Sequence, residues 1–192
     1  MRNRIIVFTL CVALLLSFAI PAYADETTAQ LSISTAEEFL IFAENCRLDS
    51  YSQGLTVTLE NSIDLEGFDF NPIPIFSGSF DGSGHTISGV SVESDGSVQG
   101  LFRYLTATAV VQNLIISGDI HPGGSRSNIG AIAGHNQGHI RYCGFTGNVS
   151  GSKYVGGIVG INGVTGIVEN CLVKGTIHGD HFVGGIAGEM PV

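Results

Sequence analysis

Leu55-Thr56-Val57-Thr58-Leu59 alternates apolar and polar residues, the pattern of a strand with one buried face. Thr86-Ile87-Ser88-Gly89-Val90-Ser91-Val92 does the same over a longer run. Ile63-Asp64-Leu65 and Ile75-Phe76 are shorter candidates, the second stiffened by Pro72 and Pro74 just before it. One stretch follows a different period. Phe39, Phe42, Ala43 and Cys46 fall on a single helical stripe, which Leu40 and Ile41 widen. Thr35 is a suitable N-cap, Glu38 can close a capping box, and Glu37 and Glu38 suit the positive end of the helix dipole. A helix is therefore predicted over about residues 35–47. An amphipathic helix must cover something apolar, and the open end of a strand stack is the surface that most needs covering. The polar residues 25–32 before it are expected to be loose.

Beyond Val98 one phrase recurs. Gly130-Ala131-Ile132-Ala133-Gly134, Gly156-Gly157-Ile158-Val159-Gly160 and Gly184-Gly185-Ile186-Ala187-Gly188 are near-copies, preceded by an atypical Gly100-Leu101-Phe102. Their first glycines lie 30, 26 and 28 residues apart. A second phrase interleaves with the first. Aligned on Gly118, Gly147 and Gly175, it places Leu114, Cys143 and Cys171 in one column and Ile120, Val149 and Ile177 in another. A repeat of this length is the mark of a solenoid, in which each coil buries its apolar side only by stacking on its neighbours. The expected fold is all-β: a right-handed parallel β-helix, or β-solenoid, of short strands with an N-terminal capping helix. It forms a single domain over residues 25–192, with lead-in strands over 55–92 and repeat coils over 98–192. The repeat glycines Gly130, Gly134, Gly156, Gly157, Gly160, Gly184, Gly185 and Gly188 are expected where backbones approach closely or turn sharply. The last coil is incomplete, because Glu189-Met190-Pro191-Val192 follow its glycine phrase and no second phrase does. Its edge is expected to meet further domains of the same polypeptide, a partner or a second copy.

Arg2, Arg4, the apolar run Ile5–Ile20 and the Ala22-Tyr23-Ala24 site read as a cleaved export signal over residues 1–24. The run is too short to cross a bilayer, and no later stretch is long and apolar enough to do so. Without Arg2 and Arg4 the formal charge moves from −9 to −11. With six scattered bases left, phosphate neutralisation is not available, which excludes nucleic acid as a partner and disfavours an anionic membrane surface. The chain is expected to be exported, to the cell surface or beyond. Glycine makes up 27 of 192 residues while apolar content stays at 44%, which fits short strands that turn often and not disorder.

Several of these segments together resemble a known family. Ser34-Thr35-Ala36-Glu37-Glu38-Phe39, the Val57–Leu65 stretch and Phe76-Ser77-Gly78-Ser79-Phe80-Asp81-Gly82-Ser83-Gly84-His85-Thr86-Ile87 resemble the opening of bacterial surface proteins with GLUG repeats. Val155–Gly160, Phe182–Gly188 and Glu169-Asn170-Cys171-Leu172-Val173-Lys174-Gly175 resemble the GLUG motif itself. The resemblance implies a β-helix-like module on secreted or wall-attached proteins. Some family members cut immunoglobulin A, and there the module accompanies a zinc catalytic domain. The His-Glu-x-x-His of that domain is absent from this sequence, so the resemblance carries over no catalytic residue.

The residues themselves offer weak chemistry. His135 with His139, and His178 with His181, would need a third or fourth convergent ligand to hold zinc. Solvent-facing turn histidines are the preferred reading, and neither metal nor cofactor is expected. Asp81-Gly82-Ser83-Gly84 reads as a tight turn and lacks the acid pattern of a calcium loop. Asp64, Glu66 and Asp69 would have to converge across a groove to serve a polysaccharide lyase or hydrolase. Cys143 and Cys171 read as small inward hydrophobes, with an inter-coil disulfide as the alternative. Asn113 and Asn170 share a column with Tyr142 between them, which suggests a corner ladder. Tyr142 and Tyr154 are the candidate ligand-binding residues. The main expectation is a non-catalytic structural or adhesive surface module, and the alternatives are a glycan- or host-protein-binding module and a β-helix enzyme.

Overall fold

The computed structural model describes residues 29–93 and 95–190. The export signal read over residues 1–24 lies outside them. In chain order the elements are β1 (Ala29–Ile33), α1 (Ala36–Asn45), β2 (Leu55–Leu59), β3 (Ile63–Asp64), β4 (Ile73–Phe76), β5 (Ser79–Asp81) and β6 (Thr86–Val92). Next come β7 (Phe102–Leu105), β8 (Val110–Gln112), β9 (Ile115–Ile120), β10 (Ser127–Gly130), β11 (Ala133–Asn136), β12 (His139–Arg141) and β13 (Gly144–Ser150). The chain continues through β14 (Lys153–Gly156), β15 (Val159–Asn162), β16 (Ile167–Glu169), β17 (Leu172–His178), β18 (His181–Gly184) and β19 (Ala187–Glu189).

Every pairing between these strands is parallel, and the protein is a β-solenoid with one N-terminal helix among the described residues. Face A stacks β1-β2-β5-β8-β12-β16. Face B stacks β3, β6, β9, β13 and β17, and face C stacks β4, β7, β11, β15 and β19. The upper coils add a three-stranded face, β10-β14-β18. The glycine phrases make the corner where this face meets face C.

The structure changes two expectations. Strands 55–92 are full rungs of the same solenoid, since β2, β3, β4, β5 and β6 occupy the same faces as the repeats. Residues 29–33 form an edge strand in register with β2, from Ala29↔Leu55 to Ile33↔Leu59. The polar outward residues Gln30 and Ser32 hid it, while Ile33 points inward and is fully buried.

Helix α1 joins β1 to β2, both on face A, so it fills the place that three strands hold in later coils. Its start is the predicted one. The Thr35 hydroxyl accepts the Glu38 N–H, and the Glu38 carboxylate accepts the Ser34 N–H. Phe39 and Phe42 are buried against Phe70, Phe76 and Phe80, with ring centroids 5.8–6.5 Å apart. Phe102 extends this cluster into the coils, at 5.1 Å from Phe76. The helix thus closes the N-terminal end of the core with aromatic side chains, each of which removes a large apolar area from water.

The apolar columns are less covered in the last described coil. Val155 and Ile158 are fully buried, but their counterparts one coil on, Val183 and Ile186, are 45% and 37% exposed. The apolar columns therefore continue through all the described coils.

Candidate functional site

The coils turn through two corners where residues other than glycine adopt the left-handed conformation. One column holds Ser83, Asn113, Tyr142 and Asn170, with φ between 51° and 54°. The other holds Val98, Asn128, Tyr154 and Phe182, with φ between 53° and 63°. Asparagine tolerates this region, whereas bulky and β-branched residues adopt it only under constraint. Both tyrosines singled out from the sequence therefore lie at corners, on opposite sides of face B.

Their surroundings differ. The Tyr154 ring stacks on Phe182, centroids 5.0 Å apart and planes 22° apart, and the Lys153 ammonium sits 4.4 Å above the Tyr154 ring. That ring is engaged within the coil stack. Tyr142 is exposed and borders a hollow of about 480 Å³ whose other walls include Asp81, Ser83, Gly84, Asn113 and Ile115.

The Asp81 carboxylate is held by three donors. Its Oδ1 accepts the Ser83 N–H at 2.8 Å and the Asn113 amide at 3.0 Å, and its Oδ2 accepts the Gln112 amide at 2.7 Å. Gln112 in turn accepts two hydrogen bonds from the Arg141 guanidinium. Partial burial works to raise the Asp81 pKa, but the three donors and the Arg141 charge outweigh it and hold the carboxyl below its usual range. Ser32, Thr58, Asp81, Gln112, Arg141 and Glu169 form one column of face A, and the Asp81 carboxylate, Gln112 and Arg141 are hydrogen-bonded to one another along it. The Asp81-Gly82-Ser83-Gly84 segment is a turn closed by that carboxylate.

A buried asparagine ladder, not picked out from the sequence, runs through the corner between faces C and A. The Asn136 amide donates to Asn162 Oδ1 at 2.7 Å and to the Gly138 carbonyl, and its Oδ1 accepts the Gly138 N–H. Asn162 donates to the Gly166 carbonyl at 2.8 Å. Asn113, by contrast, spends its amide on Asp81. The signal for the buried ladder was the shared position of Asn136 and Asn162 two residues after Gly134 and Gly160, masked by the nearby histidine pair.

Cys143 and Cys171 are neighbours on adjacent coils, just before the Gly144↔Leu172 pair, and both thiols are free. Cys143 is buried, and its thiol is pushed up by its hydrogen bond to Cys171 and by burial. The Cys171 thiol, half-buried, is drawn down to about 7 by the hydrogen bond it receives from Cys143. Burial alone pushes Cys46 up to about 12.

The glycine columns separate into two kinds. A Cβ on Gly130, Gly134, Gly156, Gly157, Gly160 or Gly188 would meet backbone of the same or a neighbouring coil, and one on Gly184 would meet the Ala187 carbonyl. Gly185, on the last described coil, has nothing within 4 Å of such a Cβ, whereas a Cβ on its counterpart Gly157 would meet the Gly185 carbonyl of the next coil.

The remaining candidates do not converge. Asp64 accepts the Glu66 N–H and the Ser88 hydroxyl, closing a local turn, while Asp69 lies in a separate hollow with Phe68 and Glu93. His139 pairs with Glu169 at 2.8 Å, His135 faces Tyr104, and His178 and His181 are exposed on the last coil. Among the described residues no three His, Cys, Asp or Glu side chains gather where they could hold a metal ion. No described helix is long and apolar enough to cross a membrane.

Residues 125–150 match the GLUG motif, which is consistent with the GLUG-repeat accessory modules of surface proteins. The matched segment is the coil from β10 through β13, with Tyr142 and Cys143 inside it. The chain is also similar to halomucin of Haloquadratum walsbyi, at 35% identity over 113 residues, which is 55% of this chain and 1% of that protein. No solved structure matches the chain.

Proposed function

We propose that this chain is a non-catalytic module of an exported surface protein, which holds a rigid face outward for adhesion or for spacing other domains. The observation that carries the reading is the coil-to-coil ladder. Outward polar side chains such as Asp81, Gln112 and Arg141 bond to one another along face A. Such a surface is stiff and preorganised, which suits binding and spacing. Export and the surface location rest on the signal-like N-terminus and on the GLUG motif, and the similarity to a short part of halomucin agrees with a module used inside larger proteins. A glycan- or host-protein-binding role is the second reading, favoured by the exposed Tyr142 at its hollow.

The test is incubation of the purified chain with a panel of acidic and neutral polysaccharides, scored for new reducing ends and for unsaturated products. Unchanged substrates are expected throughout. Product release that is abolished by Asp64→Asn or Asp69→Asn would replace this reading with the lyase or hydrolase one.

A further inference from the structure

Tyr142 is held in a conformation that costs free energy and yields little burial in return. Its column otherwise carries Ser83, Asn113 and Asn170, residues that form local turns readily. A tyrosine there is more strained than glycine or asparagine would be. Its side chain is 59% exposed, so packing does not offset the strain. An observed backbone outlier of this kind points to a role outside the fold.

The ring stands beside a hollow of about 480 Å³, within the roughly 300–1,000 Å³ range of small-molecule sites. Two chemistries meet there. The Tyr142 ring and Ile115 are apolar and exposed. Asp81 is fixed by three donors, and Asn113, with its amide nitrogen turned to Asp81, keeps its carbonyl oxygen for an incoming donor. A second, smaller hollow of about 180 Å³ adjoins at Ile115. It exists because Gly144 leaves a one-side-chain gap between Ile115 and Leu172 in the same outward column. A slot with an aromatic flank and fixed oxygen acceptors matches a pyranose, whose C–H face is apolar and whose edge donates hydroxyls. The carboxylate in the wall and the negative charge of the chain favour an uncharged sugar.

We propose that the corner formed by Tyr142, Asp81, Asn113 and Ile115, with the slot over Gly144, binds a neutral hexopyranose unit of a glycan. This deepens the binding form of the function proposed above and rests on the site being non-catalytic. Tyr142 supplies the stacking face, and Asp81 and Asn113 accept hydroxyl hydrogen bonds. The Gly144 slot takes the adjoining sugar of the chain.

The experiment titrates the purified chain with cellotetraose, maltotetraose, chitotetraose and mannotetraose, and with tetragalacturonate as the charged control. Binding is read by calorimetry and by NMR shifts of the Tyr142 ring, and Tm is measured in parallel. At least one neutral probe should bind, and tetragalacturonate should bind at least tenfold more weakly. Tyr142→Asn should weaken binding at least tenfold while raising Tm, which separates loss of the site from loss of the fold. Gly144→Leu is a second blocking variant, because a Cβ there would sit at an ordinary 3.7 Å from Ile115. It should weaken binding with Tm little changed. The proposal is overturned if no neutral probe binds, if Tyr142→Asn binds as well as the parent, or if tetragalacturonate binds equally. Those outcomes leave the spacing role intact, whereas cleavage of a probe would remove the non-catalytic reading itself.

Discussion

A Cβ built on Gly147 would run into the carbonyl oxygen of Gly118 on the coil before, and its φ of 145° is one that L side chains rarely adopt. Gly175 repeats the arrangement on Gly147. Here the missing side chain lets two coils touch, so Gly147→Ala is expected to cost about 3 kcal/mol or more through strain and overpacking combined. Gly185→Ala, with open space around it, should stay within about 0.5 kcal/mol of the parent. Urea unfolding of the two variants checks both figures, and equal losses would contradict the distinction. Cysteine chemistry divides in the same way. Cys171 is half-buried with its thiol drawn to about 7, whereas Cys46 and Cys143 are buried with their thiols pushed up. Iodoacetamide applied to the native protein should mark Cys171 first, with a rate that rises through about pH 7 as the thiolate forms. Peptide mass mapping reads the order, and early labelling of Cys46 or Cys143 would show that the coils open locally.

Elements differ in how plainly their residues announce them. The Thr35–Glu38 start of α1 and the alternation of β2 were legible because each depends on neighbours in sequence. The spacing of the glycine phrases disclosed the coils for a related reason, since the same corner recurs once per coil. Strand β1 was not legible, because Gln30 and Ser32 look like loop residues until β2 is in place to pair with them. The Asn136–Asn162 ladder was hidden more deeply. A buried amide makes sense only once the coil above brings the second amide within 2.7 Å. The left-handed corner at Tyr142 left no local sign at all, since nothing in a tyrosine predicts that backbone. At the ladder, Asn136→Ala would strip partners from the Gly138 N–H and from Asn162 Oδ1 inside the protein. The expected loss is about 2–3 kcal/mol, measured by thermal or denaturant unfolding. A loss below about 0.5 kcal/mol would mean that water replaces the amide.

As a whole, the described coils differ in how well their apolar columns are covered. Phe39 and Phe42 of α1 cover the first coils, while Val183 and Ile186 stand partly exposed on the last described one. In this chain the last described coil has a neighbour on one side alone and so has half the interfaces of an interior coil, and its local stability should be lower. Hydrogen exchange is expected to show β17, β18 and β19 exchanging by local opening, while β11, β12 and β13 exchange only with global unfolding. Uniform protection along the chain would show that the solenoid behaves as one cooperative block.

The parallel register has a kinetic consequence as well. On face A each residue meets its predecessor after 26 positions at Ala29↔Leu55, 23 at Thr56↔Ser79, 31 at Ser79↔Val110 and 28 at His139↔Ile167. Lengthening a closing loop from 23 to 31 residues adds only about 0.3 kcal/mol of entropy. The chain therefore faces nearly the same closure cost at each rung, however many rungs came before. Its folding time should scale with the number of turns to be wound, as in a zipper, and the helix-sealed end, richest in buried rings, is the natural place for winding to start.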